Sequence, residues 1–236
     1  MKVSIIGCGN IGKELARFID NDKHFELVGL VDIDEKAIVD TEALLKRNVP
    51  RMSIREAVKA DLVIEAADKS VVEEIVRLCS GKVLVLSVGG LINVGLHTCK
   101  IYIPSGAIAG LDAIKAVRGK ITSLTLTTTK HPRAFGIPEE KKVLFSGNFR
   151  DAVKKFPQNI NVAASLHIAS QFEDIHVTII ADPAATLNTH VIVCTGEFGK
   201  ITIKTENKPS KNPKTSYLAV LSAISVLNGF HESYKF

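Results

Sequence analysis

The chain has 236 residues, of which 46% are hydrophobic and 23% charged, and its net charge is +5. This composition excludes a disordered chain and leaves room for a large core in one or two domains. No apolar run reaches the roughly 18 residues of a spanning helix, and the basic excess is scattered apart from Lys208 to Lys214, itself broken by prolines, so neither a membrane nor a nucleic-acid partner is expected.

The first forty residues organise the rest. Val3 to Ile6 is a short apolar run that stops at Gly7, and Gly9 and Gly12 complete a G-x-G-x-x-G spacing before a helical pattern carrying Leu15, Ala16, Phe18 and Ile19. A second apolar run, Phe25 to Val31, ends on Asp32, about 20 residues past the last glycine, which is the spacing of an acid that accepts ribose hydroxyls. Gly7 permits the turn out of the strand, Gly9 lets a pyrophosphate approach the backbone, and Gly12 lets helix and sheet pack closely. The N–H groups that open the helix, at Asn10 and Ile11, face the phosphates with the positive end of the helix dipole behind them. A dinucleotide-binding βαβ unit is the expectation; a glycine-rich turn that binds nothing leaves Asp32 unexplained.

Asp34 to Lys46 reads as a helix, and Ser53 to Ala60 as a short one, with Ser53 and Glu56 in capping-box spacing. Leu62 to Ala67 reads as a strand, Val71 to Cys79 as a helix, and Lys82 to Val88 as a strand whose near-continuous apolar run marks cover on both faces. The alternation predicts an α/β fold, a Rossmann doubly wound parallel sheet. Ala66, Ala67 and Asp68, then Ser87 to Gly90, fall at the carboxyl edge, where such sheets bind ligands; ordinary loop glycines have the same look.

Ile101 to Pro104 reads as one more short strand, and Ser105 to Ala113 as the glycine-rich opening of a helix that runs to about Val117. That opening suits an anion or amide site, or simply close packing through small residues. From 119 to 205 the period changes. Ile121 to Thr128 alternates as a half-buried strand with a Thr-rich face, and Lys142 to Phe145, His176 to Ala181, His190 to Thr195 and Lys200 to Thr205 read as strands. Phe149 to Phe156 and Asn161 to Phe172 read as helices, giving a second α+β domain with a largely antiparallel sheet, through which a homodimer is expected. A final helix, capped by Asn212 with Pro213 at its first position, carries an apolar stripe of Leu218, Leu221, Ile224 and Leu227. The expected division is 1–104 for the dinucleotide domain, 105–212 for the α+β domain, and 213–236 for a helix that returns to the first. Met1 leads straight into a strand, and Cys8, Cys79, Cys99 and Cys194 form no C-x-x-C pair. A cytoplasmic chain with free thiols, no leader and no metal is therefore expected.

The reacting groups of such a two-domain protein are expected beyond about residue 104. Of seven histidines, His190 stands where a loop becomes a strand, after Asp182-Pro183 and Asn188-Thr189. A histidine there suits acid–base duty in a cleft or a bond to backbone. His167 and His176 read as structural. Lys130, His131 and Arg133 form a basic cluster that suits either a substrate carboxylate or a solvated loop.

The pieces Gly7-x-Gly9-x-x-Gly12, Leu86 to Gly90, Pro104-Ser105-Gly106-Ala107-Ile108-x-Gly110-Leu111-Asp112, Asn159 to Ala164, and Asp182-Pro183 through Asn188-x-His190 together resemble the L-aspartate dehydrogenase family. The resemblance spans the chain in order; its Pro-Ser-Gly-Ala-Ile and Asn-x-Asn-Val-Ala segments are the specific ones. It implies oxidation of L-aspartate to iminoaspartate or oxaloacetate, releasing ammonium, with NAD or NADP as cofactor and a product that feeds NAD biosynthesis. It puts the catalytic histidine on His190 and nicotinamide contacts around Ala109 and Asn161. The substrate carboxylates are expected near Ser87 and Gly89 on one side and near Lys130, His131 and Asn188 on the other. One departure is visible. Where the family often has Arg-Lys-Pro-Pro, this chain has Thr129-Lys130-His131-Pro132, which leaves open which basic side chain holds a carboxylate. Asp32 and the neighbouring Ile33 favour NAD, while Lys36 keeps NADP open. Alternatives are a dihydrodipicolinate reductase-like or homoserine dehydrogenase-like enzyme, or a non-catalytic NAD(H) sensor.

Overall fold

The computed structural model describes residues 1–156, 160–210 and 216–233. The chain divides into two units, Met1–Pro104 with the segment from Val220, and Ser105–Ala219.

The first unit follows the alternation of its apolar runs. Strands β1 (Lys2–Ile6), β2 (Glu26–Val31), β3 (Leu62–Glu65), β4 (Lys82–Val85) and β5 (Lys100–Tyr102) form a wholly parallel sheet in the order β2-β1-β3-β4-β5. Helices α1 (Asn10–Asn21), α2 (Glu35–Glu42), α3 (Ile54–Ala57) and α4 (Lys69–Leu78) make the connections. All four residues of β3 are buried, as cover on both faces requires. On one face Val3, Ile5, Leu62 and Ile64 pack with Leu15 and Ile19 of α1. On the other, Val63, Val83 and Val85 pack with Val72, Ile75 and Val76 of α4. The Ser53–Glu56 capping box is present at the start of α3. This is the doubly wound α/β sheet expected.

The second unit holds α5 (Leu111–Ala116), β6 (Ile121–Lys130), β7 (Lys142–Asn148), α6 (Phe149–Lys155), α7 (Asn161–Ser170), β8 (Ile175–Ala181), β9 (Asn188–Gly196) and β10 (Gly199–Asn207). Its sheet runs β10-β9-β6-β8-β7 and is mixed: β6 and β8 are parallel, the other three pairs antiparallel. The period-two pattern buries Leu124, Leu126, Ile192 and Cys194 on one face. Thr125, Thr127, Val191 and Val193 are left half-buried on the other. On the covered side α6 packs on β7 and β8, and α5 packs with α7.

Several boundaries differ from the sequence reading, each for a traceable reason. The helix expected over 34–46 ends at Glu42, because the buried Asp20 carboxylate captures the Lys46 N–H at 2.7 Å. The strand expected to reach Val88 ends at Val85, because the Ser87 N–H leaves the ladder for the Glu65 side chain; Val88–Leu91 is a 3-10 turn. The helix expected to open at Ser105 starts only at Leu111. Gly110 holds a left-handed φ of +67° there, and a Cβ on it would lie 2.6 Å from Ile203 Cδ1, so close packing rather than an anion site accounts for that glycine.

The proposed cap Asn212, Pro213 and the motif residue Asn159 lie outside the described residues. Helix α8 (Tyr217–Asn228) buries Leu227 of the expected stripe, but its other fully covered apolar residues are Val220 and Ala223; Leu218 and Ile224 are half-buried and Leu221 is exposed. The helix is apolar nearly all round, so its period could not choose the face. Packing chose it: Ala223 and Leu227 join the core of β1, α1 and β2.

Candidate active site

At the carboxyl edge of the parallel sheet the chain leaves β1 through Gly7, whose φ is +104°. A side chain there would meet the Ala66 carbonyl carbon at 2.4 Å and the Ala67 nitrogen at 2.5 Å, so only glycine lets the first and third crossings sit together. A Cβ on Gly12 would fall 1.8 Å from the Gly7 oxygen. Both glycines are therefore demanded by packing.

Gly9 is different. It caps α1 with an ordinary φ of −70°, and nothing lies within 4 Å of a Cβ built on it. The fold does not need a glycine at this position. Helix α1 has no side-chain cap and no acid in its first turn, so the N–H groups of Asn10 and Ile11 face an open, uncrowded space. That is what a pyrophosphate requires, and these residues fit a dinucleotide. Asp32, just past β2, accepts from the Cys8 N–H at 2.6 Å and from the Asp34 N–H at 2.9 Å. Its carboxylate is thus fixed against the glycine turn, and each oxygen keeps a lone pair for a ribose hydroxyl. Ile33 beside it is fully exposed. Burial, with the charge of Asp32 next, pushes the Cys8 thiol up to about 11, which leaves it an inert thiol.

Ala67 and Ser87 are joined at this edge by a residue the sequence reading passed over. Glu65, the last residue of β3, is completely buried. Its Oε1 accepts from the Ala67 N–H at 2.9 Å and its Oε2 from the Ser87 N–H at 2.8 Å, so one carboxyl group ties two turns together. Burial raises its pKa, against the pull of these donors.

In the second unit the covered face of β6 and β9 changes character along its length. Leu124, Leu126, Ile192 and Cys194 are followed by four buried polar side chains: Thr128 and Lys130 on β6, His190 and Asn188 on β9. Register places Thr128 directly opposite His190. Thr129 faces Thr189, which sets Lys130 level with Asn188. The result is a polar square at the end of an apolar face. His190 Nδ1 lies 2.9 Å from Thr128 Oγ1, and its Nε2 is buried without a hydrogen-bond partner among the described residues. Burial first, and the Lys130 charge second, push the His190 pKa down to about 3. Burial pulls Lys130 down to about 8. Asn188 Nδ2 donates to Ser216 Oγ at 3.4 Å. Of the square, Asn188 also lines a cavity of about 430 Å³, together with His131, Arg133, Pro183, Thr186 and Leu187 among others. Arg133 is engaged with Glu139 at 2.9 Å. An imidazole with one buried, unspent nitrogen beside a cation and an amide is equipped to accept a proton next to an anionic ligand.

The model of the aspartate dehydrogenase C-terminal region matches residues 112–230, about half of the chain. The homoserine dehydrogenase NAD-binding model matches residues 7–97. The L-aspartate dehydrogenase of Methanococcoides burtonii is 44% identical, with 96% of each chain covered. The chain belongs to the L-aspartate dehydrogenase family. The Methanosarcina barkeri member is 42% identical over 96% of both chains. The crystal structure of the aspartate dehydrogenase from Thermotoga maritima superposes with a TM-score of 0.80 at 27% identity, covering 100% of this chain and 99% of the other. The homoserine dehydrogenase likeness is confined to the nucleotide-binding part, whereas the aspartate dehydrogenase model covers the unit that carries the polar square.

For this L-aspartate dehydrogenase family member, most of the residues singled out from sequence fall into two groups, with Ala109 and Asn161 outside both. Gly7, Gly9, Asn10, Ile11, Gly12, Asp32, Ala66, Ala67, Ser87 and Gly89 gather at one edge of the first unit. Lys130, Asn188 and His190 gather in the polar square of the second. His131 follows directly, its Nδ1 accepting from the Arg133 N–H. Ala109 is exposed between the buried Ile108 and the half-buried Gly110. Its loop is held by the Ala107 carbonyl, which accepts from Thr205 Oγ1 at 3.0 Å and Asn207 Nδ2 at 2.8 Å. Asn161 is exposed at the first position of α7. Glu65, Thr128 and Asn207 escaped the sequence reading. Glu65 left one signal, a charge inside an apolar strand run. Thr128 was hidden in a run of threonines, and Asn207 left none. No group of three or more metal-ligating side chains occurs among the described residues.

Proposed function

We propose that this chain oxidises L-aspartate with a pyridine nucleotide. L-Aspartate and NAD⁺ give iminoaspartate, NADH and a proton; water then releases oxaloacetate and ammonium. The observation that carries the reading is His190 Nε2, a buried unpaired nitrogen in a polar square, in a chain similar over nearly its whole length to L-aspartate dehydrogenases. The bound nucleotide supplies the hydride acceptor. The uncapped start of α1 and the open space at Gly9 would hold its pyrophosphate, and Asp32 would accept from the ribose hydroxyls. His190 accepts the proton from the substrate amine or from the attacking water. Burial and the Lys130 charge keep it neutral, so the ring enters the reaction without a proton of its own to lose first. Lys130, His131 and Asn188, all of the second unit, would hold a substrate carboxylate.

Asp32 with the bare side chain of Ile33 supports NAD over NADP, since a carboxylate repels a 2′-phosphate. The half-exposed Thr and Val face of the second unit's sheet supports a homodimer formed through it. Four buried, unpaired cysteines support a cytoplasmic setting. Iminoaspartate is the product that would feed NAD biosynthesis.

The test is NADH consumption with oxaloacetate plus ammonium, against controls lacking either. Consumption that needs both, reversed by L-aspartate and NAD, is expected. NADH binding without turnover of these or other oxo acids would instead make the protein a nucleotide sensor.

A further inference from the structure

We infer that Thr128 is a positioning residue that sets the tautomer of His190, accepting a hydrogen bond from Nδ1–H so that Nε2 carries the lone pair. The inference rests on the reading of His190 as the proton acceptor.

A neutral imidazole has a single N–H, and which nitrogen bears it is decided by what the other atoms of the ring meet. Among the described residues His190 is hydrogen-bonded to Thr128 Oγ1, at 2.9 Å from Nδ1, while Nε2 has no partner. Were the proton on Nε2, a buried N–H would stand unpaired, and the ring could only donate toward the amine or water from which it must take a proton. With the proton on Nδ1 and Thr128 as acceptor, the one hydrogen bond is made and the unspent nitrogen is the basic one. Geometry makes this pairing stiff. Thr128 and His190 face each other across two antiparallel strands on the covered side of the sheet, both are nearly inaccessible, and a β-branched side chain has few rotamers to choose from. The pair also sits where the apolar layer of Leu126 and Ile192 gives way to Lys130 and Asn188. Burial of both side chains therefore keeps bulk water from the Nδ1 side.

The experiment compares wild type with T128V, T128S and H190N in the full chain. T128V removes the acceptor at nearly constant volume. It should bind NADH as wild type does and lose about ten- to hundredfold in kcat, a part of the 10²–10⁴ that a positioned acid–base group supplies. T128S, which keeps the hydroxyl, should recover most of that loss. In ¹⁵N spectra of histidine-labelled protein, the His190 signal, assigned by its disappearance in H190N, should show a bare Nε2 and a protonated Nδ1 in wild type. A mixture of both tautomers should appear in T128V. A protonated Nε2 in wild type overturns the inference, and that measurement decides even if T128V does not fold. Wild-type turnover in T128V beside an inactive H190N overturns it while leaving the role of His190 standing. An active H190N removes both.

Discussion

Gly9→Ala separates what the fold needs from what a ligand needs. The backbone at Gly9 already has a φ that alanine adopts freely, and no atom lies within 4 Å of the added carbon. Alanine is a poorer helix cap than glycine, by about 0.5–1 kcal/mol. It also reduces the freedom of the unfolded chain, by about 0.4–1 kcal/mol in the other direction. The two offset, so the urea midpoint should shift by the equivalent of less than about 1 kcal/mol. Ligand binding should respond differently. The methyl occupies the space through which a pyrophosphate reaches the N–H groups of Asn10 and Ile11. Loss of one hydrogen bond to a charged oxygen costs about 1.5–3 kcal/mol, which is about 10- to 150-fold in NADH affinity. Gly12→Ala is the control. Its Cβ would sit 1.8 Å from the Gly7 oxygen, a backbone atom that cannot swing away, so that variant should lose about 3 kcal/mol or more of stability. Fluorescence titration of NADH and urea unfolding on both variants make the comparison. Unchanged NADH affinity in a folded Gly9→Ala protein would refute the placement of the pyrophosphate.

Two further expectations concern buried ionisable groups. Glu65→Ala strips the acceptor from the Ser87 and Ala67 N–H groups, the first of them buried, and should cost about 2–4 kcal/mol in urea unfolding; an unaltered midpoint would mean that the carboxyl group does not hold the two turns. His190 has a folded pKa pushed down to about 3, against about 6.5 when unfolded. Below the unfolded value the unfolded chain gains a proton that the folded one refuses. The stability contributed by the neutral ring is thus complete above about pH 6.5 and is lost as pH falls toward the folded value, by about 1.4 kcal/mol per unit. His190→Asn should flatten stability against pH by that slope between about pH 6 and 4, and parallel curves for the two proteins would show that His190 is not buried neutral.

Local pattern determined a good deal of this protein. The G-x-G-x-x-G turn, the helix after it and Asp32 at the end of the next apolar run needed only spacing, because each acts through backbone geometry within one βαβ unit. Strand and helix alternation in the first unit and period-two alternation in the second identified both architectures, since periodicity reports which face is covered. Element ends were less legible, because they depend on hydrogen bonds reaching across the chain: Asp20 takes the Lys46 N–H, and Glu65 takes the Ser87 N–H. The buried face of α8 was undecided in a helix apolar on every side, until Ala223 and Leu227 met the core of the first unit. The polar square belongs wholly to tertiary structure. His190 could be singled out from its place in the chain, but Thr128 lies 62 residues away in a row of similar threonines. Only the register of β6 against β9 puts that one hydroxyl, and not its neighbours, on the covered face opposite the ring. Register between distant strands is a product of the packed sheet, and so the partner of the candidate base could be read only there.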